Sequence, residues 1–300
     1  MRIGAFEINE PIPELHEPHA MAILRPWVDV GGVGSLVLSR LEEHLHARPL
    51  GQLARPGNFF DFTRYRPNVL IKEGHRQLVM PNTFVSYTQQ ENGRDFLFLH
   101  LLEPHMLGEA YVESVWKVLK HFGVKRYFLL GSMYDIVPHT RPFLVSGSAI
   151  GKTTEEEIQR LGIGGSGYQG PTSIVTAVGL RASETSVDTM TALVHLPQYT
   201  QAEEDYMGLV RLLEVLNALY DVPVTKADRV KAEKQREHIE DMVARNPQLK
   251  EIVAQLETHY DAMAKRREEE HPLTRLSPEV EKFLGEMDRR FREGRGRQAS

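Results

Sequence analysis

The stretch "KRYFLLGSMYDIVPHTRP", Lys125 to Pro142, decides the fold. Its run from Arg126 to Leu130 is short, continuous and apolar, as expected of a strand covered on both faces rather than one. "MAILRPW" (Met21–Trp27), "DFLFLHLLEP" (Asp95–Pro104) and "TMTALVHLP" (Thr189–Pro197) read the same way. Between these runs lie amphipathic segments of helix length at Gly34–Ala47, Leu107–Phe122, Thr154–Leu161 and Glu203–Tyr220. Strand, helix, strand in that order implies right-handed crossovers and a mostly parallel sheet with helices on both faces. "NVLIKEG" and "RQLVMP" are close enough for a hairpin, and "TFVSYT" follows, so the sheet is expected to be mixed, with an antiparallel part. The predicted class is therefore α/β, with a helical extension at the C-terminal end.

Composition narrows the function. The chain has 300 residues, 41% of them hydrophobic and 26% charged, and it carries no cysteine. No apolar run approaches the ~20 residues of a bilayer crossing, and the N-terminus lacks the basic-then-apolar pattern of a secretory signal. A cytoplasmic protein with no membrane association is expected. Having no thiol excludes a cysteine nucleophile, an iron–sulfur cluster and the common zinc ligand sets. A formal net charge of −5 argues against general nucleic-acid binding, and only "RRFREGRGRQAS" at the end is locally basic. No metal or other cofactor is expected.

In a parallel sheet, ligands collect at the carboxyl ends of the strands, where helix N-termini point. By that rule "RPWVDVGGVGS" delivers Trp27 and Asp29 to the edge, "FLFLHLLEP" delivers Glu103 with His105 beyond, and the opening stretch delivers Asp135, His139 and Arg141. An arginine held extended before Pro142 can present its planar fork to a carboxylate or phosphate, and His139 can carry protons near neutral pH. An enzyme built here would use His139 and Arg141, with Glu103 or Asp29 orienting them. The competing expectation is structural: Arg141 pairs with Glu103, Asp29 or Asp135 and locks three loops together, because a charge at a crowded sheet edge must find a partner. "DVGGVGSLVL" resembles a dinucleotide fingerprint, with Gly32 and Gly34 in place and Val37 at the third glycine position. Gly32 and Gly34 are thus candidate anion-binding positions or simply close strand-to-helix packing. "VSGSAIGKTTEEE" misses a phosphate loop by one residue between Gly147 and Gly151, and Thr154 with Glu157 has capping-box spacing. "GIGGSGYQGPT" reads as a loop over the rim, with a helix expected from Pro171. Phe59, Phe60 and Phe62 are expected to pack beneath the rim. No serine sits in a GxSxG elbow, so nothing local marks a hydrolase.

After "DVPVTKAD" charge dominates and the apolar residues thin into stripes, which places a boundary near Val224 and two domains at 1–223 and 224–300. Leu249, Val253, Leu256, Tyr260 and Met263 are spaced for one helix face, as are Val280, Leu284, Met287 and Phe291. Pro247 and Pro272 divide the region into about three helices, folded on the chain itself or offered to a partner protein.

Taken in order, "WVDVGGVGS", "FFDFTRYRP", "LLEP" and "YDIVPHTRP" resemble the family of the second proteasome assembly chaperone and its archaeal and bacterial relatives, over roughly Ala20–Tyr220. The resemblance implies a three-layer α/β domain similar to nucleoside phosphorylases and peptidyl-tRNA hydrolases, and homo-oligomers, trimers among bacterial members. Proteasome-chaperoning members insert a C-terminal tail ending in a hydrophobic residue, a tyrosine and one more. This chain ends "GRGRQAS" and departs from that pattern, and its extension resembles the longer bacterial members. Some relatives are labelled ATP-grasp carboxylate–amine ligases, but no nucleotide clamp of that kind is legible here. The expected function is a non-enzymatic oligomeric assembly or interaction protein; the alternative is an enzyme or binder of an anionic metabolite at the sheet edge.

Overall fold

The computed structural model describes residues 1–91, 93–165 and 169–270, with side chains described as far as Lys265. In chain order its elements are β1 (Arg2–Ile3), β2 (Phe6–Ile8), β3 (His19–Arg25), α1 (Val33–His44), β4 (Arg48–Leu53), β5 (Asn68–Lys72), β6 (His75–Val79), β7 (Phe84–Thr88), β8 (Phe96–Leu102), α2 (Gly108–His121), β9 (Arg126–Asp135), β10 (Val145–Ile150), α3 (Lys152–Arg160), β11 (Gly164–Gly165), α4 (Ile174–Ser183), β12 (Asp188–Pro197), α5 (Tyr206–Tyr220), α6 (Lys226–Ala244) and α7 (Pro247–Glu270). The main sheet has the order β1-β2-β4-β7-β8-β3-β9-β12-β10-β11. Its centre, β8-β3-β9-β12, is parallel throughout, and these are the four apolar runs read from the sequence. The flanks are antiparallel where β7 meets β8 and β10 meets β12. The fold is the expected mixed α/β sheet with a mostly parallel core.

Alternation along the strands builds the layers. Ala20, Ala22 and Leu24 of β3 face one core, shared with Tyr111, Val115 and Leu119 of α2 and Val175 and Val178 of α4. Met21 and Ile23 face the other, with Val37 and Leu41 of α1, Ile158 of α3 and Leu212 and Leu216 of α5. β3, β8 and the first seven residues of β9 bury almost every residue, so these runs are nearly continuously apolar, with His100 the polar residue inside β8, whereas β12 alternates buried and half-buried residues and admits Thr191 and His195.

Two expectations are corrected. The "NVLIKEG"/"RQLVMP" hairpin forms, but β5 and β6 make a separate two-stranded sheet; the antiparallel part of the main sheet holds β7, the expected "TFVSYT", together with β4, β2, β1 and β10. The capping box at Thr154 does not form either. Helix α3 starts earlier, after Gly151; Thr154 is buried and its hydroxyl donates to the Gly151 carbonyl, while Glu157 pairs with Arg126 at 2.8 Å. The near-match to a phosphate loop lies on β10, where a Cβ on Gly147 would stand 1.9 Å from the Thr191 carbonyl oxygen. Close strand approach requires that glycine.

By internal packing the chain divides into two compact units, Met1–Lys250 and Glu251–Ser300. Position 224 falls inside the first unit, where Ile239 of α6 joins the α5 core. A capping box between Thr225 and Asp228 starts α6 after Pro223. The Asn246 side chain accepts from the Gln248 and Leu249 amides, so a new helix begins at Pro247 as the sequence predicts. The stripe Val280–Phe291, Pro272 and the basic tail lie outside the described residues, as does part of the Gly162–Thr172 loop.

Candidate functional site

Because β3, β8 and β9 run parallel, their carboxyl ends share one edge. At the end of β3, Trp27 is 61% exposed. The next residues bend back onto β9: Asp29 bridges to Ser132, the Ser132 amide donates to the Val28 carbonyl, and its hydroxyl donates to the Val30 carbonyl at 2.5 Å. Gly31 and Gly32 both have φ of +60°, which a side chain would strain, and α1 starts directly after them. The Asp29 carboxylate accepts from the Ser35 amide at 3.1 Å and the Ser35 hydroxyl at 2.6 Å. It thereby satisfies a free amide at the helix start. A Cβ on Gly34 would sit 2.9 Å from Ile23, 3.0 Å from Asp29 and 3.2 Å from the Leu130 carbonyl, so this glycine sets how closely α1 approaches the sheet.

Glu103 lies on the other face. Its carboxylate accepts from the Ile174 amide at 3.1 and 3.3 Å and so caps α4, whose Ser173 makes no side-chain cap. Burial pushes the Glu103 carboxyl above the usual range, and the Ile174 amide only partly opposes this. The Tyr65 hydroxyl donates to the Glu103 carbonyl at 3.1 Å, and burial, then the nearby Glu103 charge, raises its pKa. The His105 ring stands 4.5 Å from the Tyr65 ring, and its Nδ1 accepts from the Asp61 amide, which leaves the ring proton on Nε2 if the imidazole is neutral. Phe59 and Phe60 are buried against Tyr111 beneath this corner, and Phe62 is half-buried.

The proline-framed segment belongs to the α5 side. His139 is buried; the Tyr199 oxygen accepts from its backbone amide at 2.8 Å and lies 2.6 Å from its Nδ1. Arg141 is half-buried and lines a groove of about 420 Å³ with Phe143, Met207, Arg211, Glu214 and Arg236. Asp135 is bonded to His195, with Nδ1 to Oδ2 at 2.6 Å. Asp135 is legible in the sequence at the end of its strand, whereas His195 lies inside β12 without any local motif. A larger cavity, about 620 Å³, opens beside α1, β4 and β7. Glu42 lies on its wall, accepting from the Ser86 hydroxyl and facing His100 Nε2 at 3.0 Å; burial opposes its charge, but these partners together hold its carboxyl below the usual range. No helix among the described residues is long and apolar enough to cross a membrane.

No curated protein matches the chain. Solved structures do. A Mycobacterium tuberculosis protein of unknown function is 24% identical, with a TM-score of 0.77 over 90% of this chain and 93% of its own. A PAC2 family protein from Streptomyces avermitilis is 23% identical, with a TM-score of 0.70 over 80% of this chain and 99% of its own. A Mycobacterium tuberculosis proteasome-assembly chaperone homologue is 22% identical, with a TM-score of 0.69 over 78% of this chain and 99% of its own. At such identities these likenesses speak for the fold. The profile of the PAC2 family matches residues 23–243, from the middle of β3 nearly to the end of α6, and on that match the chain belongs to the PAC2 family.

Proposed function

We propose that this protein is a homo-oligomeric, assembly-chaperone-like interaction protein, acting in the cytoplasm through protein surfaces rather than through chemistry at the His139–Arg141 rim. The observation that carries this reading is the β5–β6 hairpin. Val69, Ile71 and Leu78 are 61%, 74% and 60% exposed. The register pairs Val69 with Leu78 and Ile71 with Arg76, which puts the three apolar side chains on one face. Leu70 and Val79, also exposed, occupy the other face. An isolated two-stranded hairpin is marginal in water, so one with apolar residues on both faces is stabilised by docking on another surface. A second copy of this chain is the favoured occupant, and the bacterial members that the sequence resembles point to a trimer. The neighbours named as proteasome-assembly chaperone homologues support the same class of role. Asp29 and Glu103, each bonded to a helix start, fit it as well. The helices beyond position 224 offer a second surface for another protein.

Light scattering on the full chain at micromolar concentration tests the proposal. A homo-oligomer is expected, and Ile71→Glu with Leu78→Glu should convert it to monomers without changing the circular dichroism spectrum. A wild-type monomer would overturn the reading; an oligomer indifferent to both substitutions would remove the hairpin from the interface.

A further inference from the structure

Three neighbouring strands, β10, β12 and β9, each bring one polar side chain to the same spot. Ser146 stands opposite Leu193 across the antiparallel β10–β12 pair, and His195, two residues on, shares the Leu193 face. Across the parallel β12–β9 pair, Pro197 stands opposite Asp135, which again belongs to that face. The bonds follow from this register. His195 Nδ1 lies 2.6 Å from Asp135 Oδ2, and His195 Nε2 lies 2.7 Å from Ser146 Oγ. Asp135 is held in place by its Oδ1, which accepts from the Ile136 amide at 2.7 Å.

The order of partners sets the protonation. An ionised carboxylate only accepts, so Nδ1 of a neutral His195 carries the ring proton and Nε2 turns its lone pair toward the serine hydroxyl. That is the arrangement of an activated serine nucleophile, recognised by geometry rather than by chain order. The place is reachable. Ser146 is half-buried, and a Cβ on Gly164, its partner on β11, would meet nothing within 4 Å among the described residues. Met133 and Ile136, 38% and 63% exposed, supply apolar surface next to Asp135.

We propose that Ser146, His195 and Asp135 are a nucleophile, base and orienting acid that hydrolyse carboxylic esters with an apolar acyl group. Ser146 Oγ bonds to the ester carbonyl carbon as its proton passes to His195 Nε2. The carbon–oxygen bond to the alcohol breaks, and the departing oxygen takes that proton from Nε2, leaving acyl-Ser146. Water then attacks the acyl carbon, giving a proton to Nε2. The Ser146 ester bond breaks, the serine recovers that proton, and a carboxylic acid is released. Asp135 accepts from Nδ1–H throughout and stabilises the transient imidazolium.

The test uses the full chain, a fluorophosphonate probe with peptide mapping, and p-nitrophenyl butyrate turnover. Wild type should carry the probe on Ser146. His195→Gln should lose labelling, and Ser146→Ala and His195→Gln should each lower turnover by at least ~100-fold with unchanged melting temperature. No label on Ser146 in the folded wild type, or a Ser146 label that survives His195→Gln, overturns the proposal. So does turnover that survives Ser146→Ala.

Discussion

Replacing His19 with glutamine should flatten the pH dependence of stability by a calculable amount. His19 opens β3 and is 4% exposed; its Nδ1 lies 2.9 Å from the Tyr220 hydroxyl, whose oxygen also accepts from Arg126 Nη1 at 3.2 Å. Because that oxygen already accepts, its hydrogen is available to Nδ1, and the neutral ring fits. Burial first, then the Arg94 and Arg126 charges, lowers the His19 pKa from 6.5 to about 3. The unfolded chain therefore binds a proton below pH 6.5 that the folded protein refuses. Stability contributed by neutral His19 is complete above the unfolded value and falls with pH until the folded value is passed. Each pH unit in that window carries about 1.4 kcal/mol, so lowering the pH to about 5 costs the wild type about 2 kcal/mol through this group. The figure at about pH 5 scarcely depends on where near 3 the folded group titrates. Glutamine does not titrate, and any packing it loses is the same at both pH values. Denaturant unfolding followed by circular dichroism at about pH 7.5 and about pH 5 should therefore show His19→Gln losing about 2 kcal/mol less than the wild type. Equal losses, or an imidazole resonance of His19 titrating near 6.5, would refute the reasoning.

The caps and close approaches make further claims. Glu103→Ala removes the acceptor at the start of α4 and should cost about 1 kcal/mol in denaturant unfolding. Glu103→Gln keeps an acceptor and sheds a charge that burial opposes, so at neutral pH it should be at least as stable as the wild type. Gly34→Ala forces a methyl against Ile23, Asp29 and the Leu130 carbonyl and should cost about 1 to 3 kcal/mol, seen as a lower melting temperature with an unchanged helical spectrum.

How much of this was legible beforehand follows the range of the interactions. The four central strands were readable because burial leaves each of them a short, largely apolar run, nearly continuous in β3, β8 and β9 and interrupted by threonine and histidine in β12, a property of a few consecutive residues. The helix starting at Pro247 was likewise local. β10 was hidden: "VSGSAI" is small and polar because glycine must pass a neighbouring carbonyl, and it imitates a phosphate loop. The rim was anticipated as an edge but not by partner. Parallel strands do bring Asp29 and Glu103 to it, yet one bonds at α1 and the other at α4, helices whose residues fill opposite cores.

By itself, then, the chain's sequence determined the α/β class, the parallel centre, the family resemblance and the presence of an apolar hairpin, since each is written in consecutive residues or in their period. Only the tertiary structure decided that this hairpin stands apart from the main sheet, and that Ser146 and Asp135, 49 and 60 residues from His195, meet it across adjoining strands. Strand neighbours are chosen by how two cores fill, a property of the whole chain, and no short window of residues contains it.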